Sequence, residues 1–378
     1  MRSAGLYIHI PFCAGKCAYC DFVSFAGRED AMHAYAGALT HEISIWAEQF
    51  DGVIDSVFFG GGTPSLMPPE LISGIIDMAK QSFNIKSDAE ISMESNPASV
   101  SEKAAKAWAN AGVNRLSIGM QAAQDDLLTL IGRTHSHSDF LLAVAAAERA
   151  GIANLNVDIM YGLPKQSMEK WLETVDAAID AGAAHVSCYA LTLEEDTRLW
   201  RMVSEGLELP GDDEVADMRE AAEIRLNKDG IARYEISNYA RPGFECRHNI
   251  DIWRGGEYIG VGCAAHGFLR RPRAMRWANT PELDRYIDGI EAGVPEREIH
   301  TPDDAEAMFE TMMLGLRLVE GIGFSRFESL HGRSIMEVYG EKLFDLSQEG
   351  LVKIDGIGVR LSRRGMEIQN TVLLRIMD

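Results

Sequence analysis

The sequence predicts an α/β protein: a partial barrel of six β/α units followed by a smaller, mostly helical C-terminal domain carrying a winged element. Three observations predict it. Short runs rich in Val, Ile and aromatics recur along the first half with helical patterns between them, the mark of parallel strands joined by crossover helices. The 378-residue chain is 46% apolar and has no low-complexity tract, enough to bury a sizeable core. Past residue 200 the alternation gives way to a different pattern, so the expected organisation is a barrel over 1–200, an extension over 201–300 and a helical, winged domain over 301–378.

Strand patterns fall at 6–10, 57–59, 90–93, 115–118, 154–159 and 185–189. Helical patterns fall at 32–46, 69–81, 101–111, 140–150 and 167–181, with cap-like openings at Ser101-Glu102 and Ser138-Asp139. Six units are fewer than the eight of a closed barrel, so the sheet should stay open, with loops at the strand C-terminal ends forming the site. A doubly wound sheet is the alternative. Downstream come an acidic helix over 212–226 and the strand-like segments YEISNYA (234–240) and EYIGVGCAAHGF (257–268). An amphipathic helix then follows from Asp303 onward, and LVKIDGIGVRLSRRG (351–365) reads as a hairpin.

The net charge of −21 repels a phosphate backbone, so nucleic acid is not an expected partner despite the wing. The opening MRSAGLYIHIPFC is too short in apolar residues for a signal h-region or a membrane span, and the cytoplasm is the expected location. Six cysteines in such a chain read as thiols, ligands or catalytic groups, not as disulfides. Cys13, Cys17 and Cys20 lie within eight residues, whereas Cys188, Cys246 and Cys263 are scattered.

HIPFCAGKCAYCDF puts three soft ligands on a loop at a strand terminus. Structural zinc needs four ligands and normally shows paired C-x-x-C units; His9 could supply a fourth, but a His within a strand is more often core or edge. A 4Fe-4S cluster held by three thiolates keeps one iron open for substrate or cofactor. GGGTP (60–64) follows the second strand, where glycines let backbone approach a ligand. Glu94 in MESNP, Gln121 in SIGMQ, Arg133 in IGRTH and Asp158 in NVDIMYGLP recur at strand ends, where they would ring one mouth of the barrel.

The C-x3-C-x2-C motif with these elements resembles the radical SAM superfamily over nearly the whole chain. The resemblance implies a radical SAM barrel whose 4Fe-4S cluster, on Cys13, Cys17 and Cys20, chelates S-adenosylmethionine through its fourth iron and cleaves it to a 5'-deoxyadenosyl radical. It places Tyr19 next to the adenine and Gly61, Gly62 and Thr63 against the methionine amino group. In the porphyrinogen-oxidising branch Glu94, Gln121, Arg133, Asp158 and Tyr7 match further S-adenosylmethionine contacts.

Within that branch YGLP, SCYALT, YEISNYA and GVGCAAHGF resemble both the HemN dehydrogenases and the HemW-type haem chaperones. HemN proteins carry an extra Cys two residues after the third cluster Cys and an N-terminal extension; here Phe22 stands at that position and twelve residues precede Cys13, which favours the HemW type. That type also has an H-N-x-x-[YW]-W element implicated in haem binding, matched by CRHNIDIW (246–253) except that Ile252 replaces an aromatic. The resemblance implies haem as a third ligand, with His248 as axial donor and Cys246 as the thiolate alternative. His266 in AAHG is open between packing and ligation, and the basic island RRPRAMR (270–276) could pair with propionates or be a solvated loop. The implied role is delivery of haem to an acceptor protein of unknown identity, compatible with brief contact at a membrane haem protein. The alternative is an oxygen-independent coproporphyrinogen III dehydrogenase or another radical enzyme acting on a tetrapyrrole.

Overall fold

The computed structural model describes residues 2–270 and 274–377. Strands β1 (Ser3–Ile10), β2 (Val53–Gly61), β3 (Asn84–Ser95), β4 (Arg115–Gln121), β5 (Asn154–Tyr161) and β6 (His185–Ala190) hydrogen-bond in parallel in chain order. Each covers its predicted run. Helices α1 (Met32–Gln49), α2 (Pro69–Ser82), α3 (Glu102–Ala111), α4 (His137–Arg149) and α5 (Met168–Asp180) lie in the crossovers between them. Ser101 caps α3 by accepting from the Ala104 amide, and Gly112, at φ +108°, ends it in the left-handed region that glycine adopts freely. The cap of α4 is Ser136 and not the expected Ser138. The Asp139 side chain reaches back to the Ser136 amide to complete a capping box, so the helix begins one turn earlier than its apolar pattern.

The sheet is larger than six units. After α6 (Asp212–Lys228), β7 (Ala232–Arg233) and β8 (Asn238–Ala240) add antiparallel beyond β6. Past the short α7 (Arg247–Trp253), β9 (Glu257–Val261) returns to the other flank of β1 as a seventh parallel strand. The 257–268 segment is therefore two strands and not one, because Gly262 (φ +108°) and Ala264 (φ +59°) turn the chain into β10 (His266–Leu269). β11 (Met275–Asn279), α8 (Leu283–Glu291) and β12 (Arg297–His300) follow, giving, among the described residues, one twelve-stranded open sheet that ends at β12 and β7.

Each parallel strand alternates in character. Leu6, Ile8, Val57, Phe59, Leu116 and Val157 join the helices in one continuous core. The opposite face carries Tyr7, His9, Ser92, Glu94, Ser117 and Asp158. Parallel strands covered on both faces normally read as unbroken apolar runs. Here the period-two pattern marks a polar lumen.

A second core, from Met308 to Ile376, is built by α9 (Asp304–Gly315), α10 (Phe324–His331), α11 (Ile335–Gln348), α12 (Gln369–Met377) and a three-stranded sheet. That sheet orders β13 (Ile322–Gly323), β15 (Gly358–Leu361) and β14 (Val352–Ile354), the last two forming the predicted hairpin. Among the described residues no helix is long and apolar enough to cross a membrane.

Candidate functional site at the barrel mouth

The loop that carries Cys13, Cys17 and Cys20 leaves the C-terminal end of β1 and is held from three sides. It is closed on itself by parallel pairing of Phe12 with Phe25 and of Cys13 with Ala26. The GGGTP turn at the end of β2 grips its start: the amides of Gly62 and Thr63 donate to the carbonyls of Ile10 and Phe12, each at 2.8 Å. The far side is fixed by the Ala18 amide, which donates to Ile131 O at 2.9 Å, and by the Leu199 amide, which donates to Ala18 O at 2.7 Å. Two of the turn's glycines are also closely hemmed in by β1 and the loop. A Cβ on Gly62 would stand 2.8 Å from Phe12 O, and one on Gly61, at φ +111°, 2.4 Å from the His9 ring.

All six cysteines are free thiols, and only the loop's three are partly exposed. Burial pushes Cys246 and Cys263 up to about 12, which keeps them protonated and inert. Cys13 Sγ lies 3.5 Å from Thr63 Oγ1, and Arg133 Nη1 donates to Cys17 Sγ at 3.6 Å. Burial raises the Cys20 thiol, and Cys17 and Cys13 nearby raise it further. Among the described residues no group of three or more His, Cys, Asp or Glu side chains is placed to hold a single metal ion.

Below the loop the predicted polar residues gather in the lumen. Glu94 accepts from the Gly61 amide at 3.2 Å, and burial, reinforced by Asp158, moves its pKa up to about 7. Asp158 accepts from Ser117 Oγ at 2.7 Å and from Asn156 Nδ2 at 2.8 Å. Arg133 donates to Gly119 O at 2.7 Å, while its buried Nε has no partner. Gln121 sits at a bulge of β4 with φ +65°, a conformation disfavoured for a residue with a Cβ. The missing Cβ of Gly119 makes room for both, since it would fall 2.9 Å from Arg133 Nη2 and 3.0 Å from Gln121 Nε2. Tyr19 lies beside Cys17 and Arg133, and its burial raises its pKa. The Tyr7 hydroxyl bonds His9 Nδ1 at 3.0 Å.

His248 is not at this mouth. Its ring is 2% exposed at the lumen floor, stacked 5.2 Å from Phe58, with Nδ1 bonded to Ser56 Oγ at 2.9 Å and Nε2 unpartnered. A Cβ on Gly5 would stand 2.8 Å from it, so the strand is glycine there to admit the ring. Burial, with Arg115 nearby, lowers its pKa to about 3. Cys246 is enclosed on the same floor, 3.6 Å from Glu90 Oε1. Of the basic island, Arg270 donates to Gly255 O and Arg276 pairs with Glu310, while residues 271–273 lie outside the described residues.

Two residues at the mouth lie outside the predicted site set: His9, weighed above only as a fourth zinc ligand, and Tyr258. His9 shares the lumen face with Tyr7, a placement legible from the two-residue spacing in YIHI. Tyr258 lines a cavity of about 900 Å3 that opens beside the cysteine loop and is also bounded by Tyr7, Phe22, Ile252 and His266. No local signal marks Tyr258, because β9 reaches the site only by pairing across the sheet.

Comparison with known proteins adds a family to this geometry. The model described as "Radical SAM superfamily" matches residues 7–178 and that described as "HemN C-terminal domain" matches 303–368. "Heme chaperone HemW" of Bacillus subtilis is 35% identical over 376 residues, covering 98% of each chain. The chain belongs to the HemW family within the radical SAM superfamily. "Radical S-adenosyl methionine domain-containing protein 1, mitochondrial" of Bos taurus is 34% identical across 100% of this chain and 88% of its own. The solved structure titled "Coproporphyrinogen III oxidase (HemN) from Escherichia coli is a Radical SAM enzyme" has the same fold, with TM-score 0.86 and 22% identity over 99% of this chain and 90% of that one. This HemW-family chain thus shares with that structure a barrel sheet followed by a helical C-terminal unit.

Proposed function

We propose that this chain is a haem chaperone: it binds haem as cargo and passes it to an acceptor protein, and it carries a 4Fe-4S cluster and S-adenosylmethionine at the barrel mouth. The single observation that carries the reading is the juxtaposition of three partly exposed thiols with a cavity of about 900 Å3 at one mouth, in a chain that is 35% identical end to end to a protein named a heme chaperone. Cys13, Cys17 and Cys20 fit a cluster. They are free, held on a loop fixed from three sides, and not arranged around a single ion. The Arg133 guanidinium stands beside Cys17, with Nη1 3.6 Å from its Sγ, and so sets a cation next to the three sulfurs.

Held by Cys13, Cys17 and Cys20, a cluster would supply an open iron for S-adenosylmethionine and a source of one electron. The chain's own residues do the rest. Glu94 and Asp158 offer carboxylate acceptors in the lumen, Arg133 offers a guanidinium with an unpartnered Nε, and Gln121 is held at a strained bulge beside it. Tyr7 and Tyr19 offer aromatic faces. The acceptor is a protein, and the cytoplasm is the proposed compartment.

Anaerobic haemin titration of the cluster-reconstituted chain, followed by transfer to an apo-haemoprotein, tests this. Saturation at one haem per chain, with faster transfer from cluster-loaded than from cluster-free protein, is the expected result. Equal transfer rates would remove the cluster from the function. Release of protoporphyrinogen from coproporphyrinogen III in anaerobic turnover would replace the chaperone reading with the enzyme.

A further inference from the structure

The cavity at the mouth has a neighbour. A smaller one of about 330 Å3 lies between the sheet extension and the C-terminal unit, and Ile252 and Tyr258 line both. The larger falls in the upper range of small-molecule sites. Its walls include Phe22, which is 70% exposed, together with Val23, Ile252 and Pro281. A flat apolar macrocycle needs such walls and one donor aimed at its metal.

Two imidazoles line this cavity, and only one is available. His9 is engaged at both nitrogens: Nε2 can only donate to the Val23 carbonyl, 3.4 Å away, so Nδ1 accepts from the Tyr7 hydroxyl at 3.0 Å. His266 is exposed, and no hydrogen bond to a described residue engages its ring. It is paired across the sheet with Ala278, which lines the same cavity.

The backbone that presents His266 is fixed by two glycine contacts. A Cβ on Gly260 would lie 1.8 Å from His266 O, and one on Gly267 would lie 2.0 Å from the Trp277 ring. The strand on either side of His266 is therefore pressed directly against its neighbours, and the imidazole leaves a rigid frame. His248 in CRHNIDIW is sealed in the floor, whereas Ile252 and Trp253 of the same segment line the cavities. The segment reaches the cavities through these wall residues.

Building on the chaperone reading, we infer that haem occupies the larger cavity with the His266 imidazole as axial ligand to its iron, and with Ile252 and Tyr258 packed along the macrocycle. The imidazole donates a nitrogen lone pair to ferric iron in place of a water, with no change of oxidation state. The inference rests on that reading but can fail separately from it.

The experiment is a haemin titration of the cluster-reconstituted full chain and of its His266→Ala and His248→Ala variants, with Soret and low-temperature EPR spectra and far-UV circular dichroism. His266→Ala is expected to keep the native dichroism, weaken binding by about tenfold or more, and lose the imidazole-ligated spectrum, which added imidazole restores. His248→Ala, measured where it is folded, is expected to keep that spectrum. Saturable binding with an unchanged spectrum in His266→Ala overturns the assignment and leaves the chaperone reading standing. So does loss of the ligated spectrum in His248→Ala alone, or failure of imidazole to restore it in His266→Ala. Absence of saturable binding in the unsubstituted chain overturns both.

Discussion

Glu94 holds a carboxyl group where burial disfavours its charge. Its pKa rises from 4.5 unfolded to about 7 folded, so its contribution to stability is fully present below 4.5 and is lost as pH rises through about 7. Above that pH the cofactor-free fold carries a buried carboxylate it would rather protonate. Glu94→Gln keeps an acceptor for the Gly61 amide and removes the charge, so denaturant titration at pH 8 should find the apo-variant more stable by about 2–3 kcal/mol. Equilibrium dialysis should find it unable to hold S-adenosylmethionine. A variant that is neither stabilised nor impaired would deny Glu94 the placed role. His248 has the opposite sign. Its pKa falls from 6.5 to about 3, so its share of stability is present above 6.5 and lost progressively as pH falls toward 3. His248→Ala should lower stability at pH 7.5 by about 2–4 kcal/mol, as for a buried, hydrogen-bonded ring, and flatten the acid limb of the stability profile. A profile parallel to that of the unsubstituted chain would show that the ring does not titrate there.

At the scale of elements, the GGGTP turn and the cysteine loop behave as one device. The turn's amides hold the loop's carbonyls, and glycine is required because any side chain at Gly62 would strike Phe12 O. Gly62→Ala should therefore displace the loop, costing about 1–3 kcal/mol, and iron and sulfide assays after reconstitution should fall well below the unsubstituted yield while α1–α5 keep their dichroism. Full cluster yield would mean that the thiols tolerate the shift. Much of this scale is legible in advance: six strands and five helices lie where Val- and Ile-rich runs alternate with helical patterns, because local burial and local propensity agree there. The start of α4 was less legible, because two serines stand two residues apart and only the reach of Asp139 chooses between them.

The whole molecule is a barrel sheet and a C-terminal core joined along a seam. Glu235 and Leu318 form a bridge across it, and Val319 N donates to Tyr234 O at 3.0 Å. Arg317 reaches from one side to pair with the fully buried Glu235 at 3.4 Å while lying 4.3 Å over the Trp253 ring. Arg317→Ala leaves that buried carboxylate without its cation, held only by the Ser237 amide, and should cost about 2–3 kcal/mol, seen as a C-terminal unit that melts apart from the barrel in calorimetry. A single unchanged transition would place the coupling elsewhere, in the more exposed pairs Arg254–Glu320, Arg363–Glu220 and Arg219–Glu367. The same seam sets one wall of the smaller cavity.

The sequence by itself determined the elements whose signals are local. The period-two alternation laid out the polar lumen, the spacing of Cys13, Cys17 and Cys20 made one loop of three thiols, and the strand ends brought Glu94, Gln121, Arg133 and Asp158 toward one mouth. Only the tertiary structure decided what depends on pairing between distant segments. β9 closes onto β1 across some 250 residues of chain and brings Tyr258 and His266 to the site. The helix of CRHNIDIW turns its His248 into the floor, because Gly5 and Ser56 leave a ring-sized space there that no local pattern announces. Whether a histidine is a buried strut or an available ligand is settled by what surrounds the ring, and those neighbours come from segments far apart in the chain.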